Sequence, residues 1–521
     1  MKRFIMTFLA VSTILGFISC FMIVSSSFVL AQETPKRGGW LKVATDGAPV
    51  GLDPHLSVSF TTLCFIETCY DTLVRYNAKM ELEPSLATSW EQPDQLTYIF
   101  HLRKGVKFHD GGDFTAEDVK FNLERLLDPQ TKAPQGSFFK SIAKIETPDA
   151  YTVKIIMSAP NPQFMSVIGT PWYLAILSKT ALQKYGTLQQ NVVGTGPFKM
   201  KQYDPGVKGV YERFDNYWEK GLPYIDGYDF IIIKDDTSRM AALRNETVDI
   251  GWVKPAELAN LLSKEKHLRI ETGPPVRQLC FQFTHDRFPG NNIKVRQAIA
   301  SAIDRQEIID TVLMGQGTLT AAIPPAAAPY GLSVAESAKL PFYKQDLELS
   351  KKLLKEAGYP EGFEFTCKTS PHSPDYIPAA EIIQRQLAKV GIKMKIQQSE
   401  FGQMIKDWEN SDFAAQIWAE IWYPDPEGYC YAYFHSKGSD NVYKVKDEKL
   451  DKLFDAQHAE TNLQKRIAVW RDLQVYMAEY IPQILIYAMP ARYEAVNKKV
   501  KNYKFLSNNS RIYLRQAWID K

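Results

Sequence analysis

From Leu96 the chain sets apolar side chains at every second position. Leu96, Tyr98, Phe100 and Leu102 alternate with Thr97, Ile99, His101 and Arg103, and a period of two predicts a strand. The period then lengthens. Val119, Leu123, Leu126 and Leu127 fall on one face of a helix that Thr115 and Asp118 open with the spacing of a capping box. Asp128-Pro129 ends it, because proline disfavours helix in the residue before it. Further on, Phe363, Phe365 and Cys367 alternate as a strand, and Ile383, Leu387 and Val390 stripe a helix over 379–390. Ile392, Met394 and Ile396 then alternate with Lys393 and Lys395. Gly391 sits where a left-handed helix cap is wanted.

Strand, helix and strand joined by short connections predict a βαβ crossover, hence a parallel pair in an α/β sheet. A helix over 346–357 ends at Gly358 and precedes this unit, another is expected over 295–313, and residues 230–233 read as a strand. At about 150 residues per domain the length suggests about three domains. There is no repeat of 20–50 residues and no low-complexity linker, so the domains are expected to interleave along the chain.

The first 31 residues read as a secretory leader. Lys2-Arg3 supply its charge, 4–30 carry none, and Val29-Leu30-Ala31 fits a cleavage site before Gln32. The run is long enough to anchor in a bilayer, but Ser25-Ser26-Ser27 interrupts it, which favours cleavage. Phe17-Ile18-Ser19-Cys20 weakly matches a lipoprotein site, with lipid attachment at Cys20 the minor alternative. The remainder has no uncharged run of spanning length. The 45% hydrophobic and 23% charged residues of the whole chain are those of a globular protein. There are 62 Lys and Arg against 59 Asp and Glu, and no basic stripe, which argues against nucleic acid as a partner. Five cysteines follow the leader: Cys64, Cys69, Cys280, Cys367 and Cys430. An odd number cannot all pair in one chain, and small core residues are the simpler reading, with a Cys64–Cys69 bridge allowed but not demanded.

Catalytic signatures are missing. The chain has no Walker loop, G-x-S-x-G, H-E-x-x-H or G-x-G-x-x-G. His55, His101, His109, His267, His285, His372, His435 and His458 are scattered with no i,i+4 pair, so no metal site and no cofactor are expected. His101 and His109 flank a turn at Arg103-Lys104-Gly105 and can approach one another. Asp235-Asp236 reads as a strand end or helix start rather than an acid–base couple.

Several blocks, in this order and spacing, resemble the extracytoplasmic solute-binding proteins of ABC importers, in the family that carries peptides, nickel, opines and some oligosaccharides. They run from about Gly38 to the C-terminus. They are Arg37-Gly38-Gly39, Leu52-Asp53-Pro54-His55, Tyr70-Asp71-Thr72-Leu73-Val74, Pro84-Ser85-Leu86-Ala87-Thr88-Ser89-Trp90 and Tyr98-Ile99-Phe100-His101-Leu102-Arg103-Lys104-Gly105-Val106-Lys107-Phe108-His109-Asp110-Gly111. Phe114-Thr115-Ala116-Glu117-Asp118-Val119, Gly194-Thr195-Gly196-Pro197-Phe198, Val295-Arg296-Gln297-Ala298-Ile299 with Ala302-Ile303-Asp304-Arg305, and Tyr423-Pro424-Asp425-Pro426 follow. The blocks themselves are scaffold: Leu86, Trp90, Phe100 and Leu102 can supply core, and Gly105 and Gly111 suit tight turns.

The resemblance implies an α/β fold of the type II periplasmic-binding-protein clamshell kind, two lobes with an extra inserted domain. After the leader at 1–31, domain I is expected from 32–68, 221–286 and 490–521, domain II from 69–220, and domain III from 287–489. It further implies a periplasmic, monomeric, non-enzymatic protein that holds a small ligand and passes it to ABC permease subunits. A ligand-presenting sensor on the same fold is the alternative.

Peptide-binding members carry an acid just upstream of Tyr-Pro-Asp-Pro, where this chain has Trp422, and dipeptide-binding members use an arginine in the loop before the helix. The loop 369–375 has none. A peptide's termini would then lie desolvated and unpaired, which costs several kcal/mol. An ordinary free dipeptide is therefore not expected, although Glu420 can substitute by a shift of register. Trp418, Trp422, Tyr423, Tyr429, Tyr431 and Tyr433 instead offer faces for sugar, aromatic or cationic groups. By resemblance the cleft residues are His55, Ser57, Phe60, Trp252, Ser370, His372, Trp418, Glu420, Trp422, Tyr423 and Asp425. The expected ligand is sugar-, aromatic-, opine- or peptide-like, and the scattered histidines do not favour nickel.

Overall fold

The structure, a computed structural model, describes residues 34–57, 59–78, 81–253, 256–273, 275–327, 329–421, 425–438, 440–490, 493–505 and 510–520. Residues 37–521 make up one compact unit, and the leader expected at 1–31 lies outside the described residues. Three sheets organise this unit.

The first sheet has seven strands in the order β12 (Leu268–Thr272), β18 (Tyr493–Asn497), β11 (Ile250–Val253), β1 (Trp40–Thr45), β10 (Gly227–Ile232), β9 (Lys208–Arg213) and β8 (Phe198–Asp204). β1 runs parallel to both β10 and β11. The second has five, β15 (Lys393–Gln398), β14 (Glu364–Thr369), β16 (Ala415–Ile421), β13 (Pro275–Phe283) and β17 (Gln483–Pro490), with β14 parallel to β15 and β16. The third is antiparallel, β4 (Ala87–Asp94), β5 (Thr97–Leu102), β7 (Thr152–Met157) and β6 (Ile142–Asp149). Two ribbons, β2 (Val74–Tyr76) with β3 (Leu82–Pro84) and β19 (Val500–Lys501) with β20 (Trp518–Ile519), complete the strands.

The expected alternation builds β5, whose Tyr98, Phe100 and Leu102 point inward. They meet Val119, Leu123 and Leu126 of the helix Ala116–Leu127. Thr115 and Asp118 form the capping box, the Thr115 N–H donating to the Asp118 carboxylate at 2.9 Å. Trp90 is only partly covered. The crossover is present as β14, the helix Tyr376–Ala388 and β15, and Gly391 adopts φ +86° as the cap requires. The helix starts three residues ahead of the expected position because Pro378 occupies its first turn, where a missing N–H forfeits no bond.

The helix expected over 295–313 is two helices, Ile293–Ala302 and Arg305–Val312. Ile303 is extended between them, and the Asp304 side chain caps the second by accepting from the N–H groups of Gln306 and Glu307. Asp235 caps the helix Asp236–Arg244, as a helix start would. All five cysteines beyond the leader are buried thiols.

Sheet membership cuts across the expected sequence limits. β8 and β9, inside 69–220, hydrogen-bond through β10 into the first sheet. β13, inside 221–286, is an interior strand of the second, between β16 and β17. The Gly194-Thr195-Gly196 block lets the chain return to the first sheet: a Cβ at Gly196 would overlap the backbone of 68–70. The chain passes from the first sheet to the second between β12 and β13, and back between β17 and β18.

Candidate functional site

In open α/β sheets ligands bind outside the carboxyl ends of the parallel strands, where loops diverge. In the first sheet those ends are Thr45, Ile232 and Val253; in the second they are Thr369, Gln398 and Ile421. The segments that follow, 46–59, 370–375 and 422–426, are therefore the structural candidates for a site, and they hold most of the residues that the sequence singles out.

The first segment turns inward. Arg125 forks onto Asp53 at 3.0 and 2.7 Å, and His55 Nε2 lies 2.9 Å from the Ala175 carbonyl. His55 is 1% exposed, and burial together with Arg125 lowers its pKa to about 4, so it is a neutral core imidazole at neutral pH. Ser57 is partly exposed, its hydroxyl accepting from the Ser59 N–H. Phe60 opens the helix Phe60–Ile66. Trp252 is wholly enclosed in β11, with the Arg511 guanidinium 4.1 Å from its ring centroid. His101 and His109 do not share a site. His101 pairs with Glu91, and His109 Nε2 lies 2.9 Å from the Gly196 carbonyl.

The second segment is better exposed. Ser370 is buried and accepts from the His372 N–H, while His372 is exposed and stacks on Phe401 at 3.8 Å. The loop lacks an arginine of its own but receives one. Arg277, from β13, forks onto Asp375 at 2.9 and 3.2 Å and donates to the Ser373 hydroxyl at 3.1 Å. Tyr487 donates to the same carboxylate at 2.8 Å. Burial pushes the Asp375 carboxyl up, but Arg277 outweighs it and holds the group below the usual carboxylate range.

The third segment carries the densest network. On β16 the side chains of Gln416, Trp418 and Glu420 share a face, opposite Gln282, Cys280 and Gln278 of β13. Three donors converge on Glu420 Oε1: Trp418 Nε1 at 2.9 Å, Gln282 Nε2 at 3.0 Å and the Tyr443 hydroxyl at 3.2 Å. Behind them Trp408 donates to Tyr443, Gln416 to Gln282, and Gln282 in turn to Gln483. Glu420 Oε2 meets no partner among the described residues. Burial raises the Glu420 pKa against the pull of these hydrogen bonds. Trp418 itself is 6% exposed.

Trp422 and Tyr423 lie outside the described residues. Asp425 is spent on the scaffold. It is 3% exposed and takes both arms of Arg466, at 2.7 and 2.9 Å, while Arg466 also holds Glu427 and Tyr330. Arg277, Arg466 and the glutamine row carry no sequence signal of proximity: Arg277 and Asp375 are 98 residues apart, Arg466 and Asp425 41, and the bonds of Gln282 with Gln416, Glu420 and Gln483 span 134 to 201. The alternation Gln278, Cys280, Gln282 does mark one polar face of β13.

The profile of the bacterial extracellular solute-binding proteins, family 5 (middle), matches residues 81–441. The chain belongs to this family. The glutathione-binding protein GsiB of Salmonella typhimurium (strain LT2) is 32% identical over 360 residues, 69% of each chain. Among solved structures, AgaA of A. tumefaciens R10, in complex with agropinic acid, is 28% identical with a TM-score of 0.74, covering 93% of this chain and 99% of its own. DppA of Helicobacter pylori, in complex with the peptide STSA, is 26% identical with a TM-score of 0.75 at the same coverage.

The fold of this family 5 protein is thus that of type II periplasmic-binding proteins, and its role is that of an extracytoplasmic solute-binding protein serving the permease of an ABC transporter. Among the described residues no helix is long and apolar enough to cross a membrane.

Proposed function

We propose that this protein captures one small polar organic solute between its first and second sheets, without chemical change, and hands it to the permease as a monomer. Leader cleavage near Ala31 would release it into the periplasm. In this reading domain I is built on the first sheet, with β8 and β9 included, domain III on the second, with β13 included, and domain II on the third.

The observation that carries the reading is the state of Glu420. Its Oε1 takes three donors, and its Oε2, beside the carboxyl end of β16, accepts from none of the described residues. An acceptor held in place by its neighbours loses little entropy on binding, which favours a ligand ammonium, amide or hydroxyl there. His372, Ser57, Trp418, Trp422 and Tyr423 then serve as flanking contacts, whereas His55, Trp252, Ser370 and Asp425 act by shaping the walls. The relatives named for glutathione, agropinic acid and a tetrapeptide suggest a solute of similar size carrying nitrogen and carboxyl groups. A simple dipeptide is disfavoured, since its ammonium would have to reach Glu420 rather than an acid at 422.

Native mass spectrometry of the protein purified from its own host tests the reading. A single retained mass, released intact on unfolding, is expected. A protein that holds no solute and binds none from a host extract, or one that returns a chemically altered solute, contradicts it.

A further inference from the structure

An arginine is seldom buried in a protein without a group of opposite charge beside it. Among the described residues six arginines are buried: Arg239, Arg296, Arg305, Arg466, Arg511 and Arg515. Four of them meet a carboxylate. Arg239 has Asp236, Arg466 has Asp425 and Glu427, Arg511 has Glu494, and Arg515 has Glu219. Arg296 and Arg305 donate to carbonyls and meet no carboxylate among the described residues. Burial lowers the pKa of both to about 10.

The surroundings of Arg296 explain it. Its Nε and Nη2 take the carbonyls of Ile481 and Tyr480, which close the helix Leu463–Tyr480, and the end of a helix dipole favours a cation there. Arg305 has no such arrangement. Its Nε donates to the Leu485 carbonyl at 2.7 Å and its Nη1 to those of Tyr343 and Phe342 at 3.0 and 3.1 Å, but Nη2 meets no partner among the described residues. The guanidinium lies on the Tyr343 ring, 4.6 Å from its centroid, and the Tyr343 hydroxyl also meets no partner among the described residues.

Arg305 and Tyr343 line one cavity with Phe342, Ile481, Gln483 and Leu485. Its volume of about 20 Å³ takes one water-sized particle. Phe342 and Ile481 hold φ of +62° and +55°, uncommon outside glycine, and the carbonyls of both are bonded by arginines, Arg305 and Arg296 respectively. The walls are therefore held in place and cannot close onto Nη2 without breaking those bonds. The cavity is not in the solute segments. Gln282 of β13 faces both Gln483 and Gln416, near the start of β16, whereas Arg277 faces Met489 and Ile421 at the other end. The cavity thus lies toward the end of the second sheet opposite the segment 422–426.

We infer that Arg305 Nη2 and the Tyr343 hydroxyl receive a small monovalent inorganic anion, a halide such as chloride, in this cavity. A halide is about the size of a water molecule and fits the room, whereas sulfate, phosphate and carboxylates do not. It would give the buried guanidinium its counter-charge through charge-assisted hydrogen bonds and tie the segment 341–343 to the start of β17. The inference does not depend on the solute-binding reading.

Chloride is the probe, with gluconate at equal ionic strength as the reference and sulfate as the oversized anion. Protein dialysed into gluconate is titrated with chloride while the 35Cl line width is followed. The expected result is saturable broadening that bromide displaces and sulfate does not, with a melting temperature that rises with chloride over gluconate. Arg305→Gln should abolish the broadening. Because that change also removes carbonyl partners, Tyr343→Phe decides the matter: it keeps the ring under the guanidinium and should keep the melting temperature measured in gluconate. It should weaken chloride about tenfold, the effect of one hydrogen bond to a charge. A chloride response unchanged by Tyr343→Phe, or none in the wild type, overturns the inference and means that the cavity holds water only. An equal response to sulfate overturns it too, since salt then acts by screening alone.

Discussion

Glu67 shows how much a single buried carboxyl can decide. It follows the helix Phe60–Ile66, is 2% exposed, and accepts the Arg511 N–H at 2.6 Å, while the Arg511 guanidinium is taken by Glu494. Burial raises its pKa from 4.5 to about 7 against the pull of Arg511. The folded state therefore binds more protons than the unfolded chain between those values. Stability contributed by this group falls as pH rises from about 4.5 to 7 and stays lower above, by about 3 kcal/mol in all. Glu67→Gln keeps the acceptor and loses the charge, so its melting temperature should gain on that of the wild type across this window and hold a constant lead above it. A pH-independent difference between the two proteins would show that Glu67 does not titrate there. Trp422 supplies the other residue-level test. As a stacking platform, its replacement by Ala should weaken solute binding about tenfold or more at modest cost in stability, whereas a core tryptophan would cost about 3–5 kcal/mol of folding. Calorimetric titration with the host solute and a thermal melt separate the two. Sequence alone marked Trp252 and Asp425 by resemblance but could not show the Arg511 and Arg466 guanidiniums that enclose and consume them, because those arginines arrive from distant parts of the chain.

At the scale of elements, periodicity and caps carried most of the information. β5, the helix Ala116–Leu127 and the β14–helix–β15 crossover follow from alternation, a capping box and Gly391, all local features. The stretch 295–313 misleads because its apolar positions keep helical spacing across Ile303, and only Asp304 marks the interruption. That cap accepts two N–H groups at 3.0 and 3.1 Å. Asp304→Ala should cost about 0.5–2 kcal/mol of stability in chemical denaturation, the usual worth of such a cap, and an unchanged midpoint would mean that the buried Arg305, which donates to the carbonyls of Leu485, Phe342 and Tyr343, fixes the second helix unaided.

For the whole molecule, the order of sequence blocks was enough for the family and the fold, because those blocks hold scaffold: Leu86 and Phe100 are wholly buried, and a Cβ at Gly196 would overlap the backbone of 68–70. The ligand was not legible, because side chains that meet in space lie far apart along the chain, as Arg277 and Asp375 do across 98 residues. The central claim is capture by enclosure without chemistry. Small-angle scattering of solute-free protein, before and after addition of the solute recovered from the host, tests it most directly. The account predicts a smaller radius of gyration with solute, reversed on its removal, and recovery of the solute unaltered. An unchanged radius at saturating solute, or a solute recovered in altered form, would contradict it.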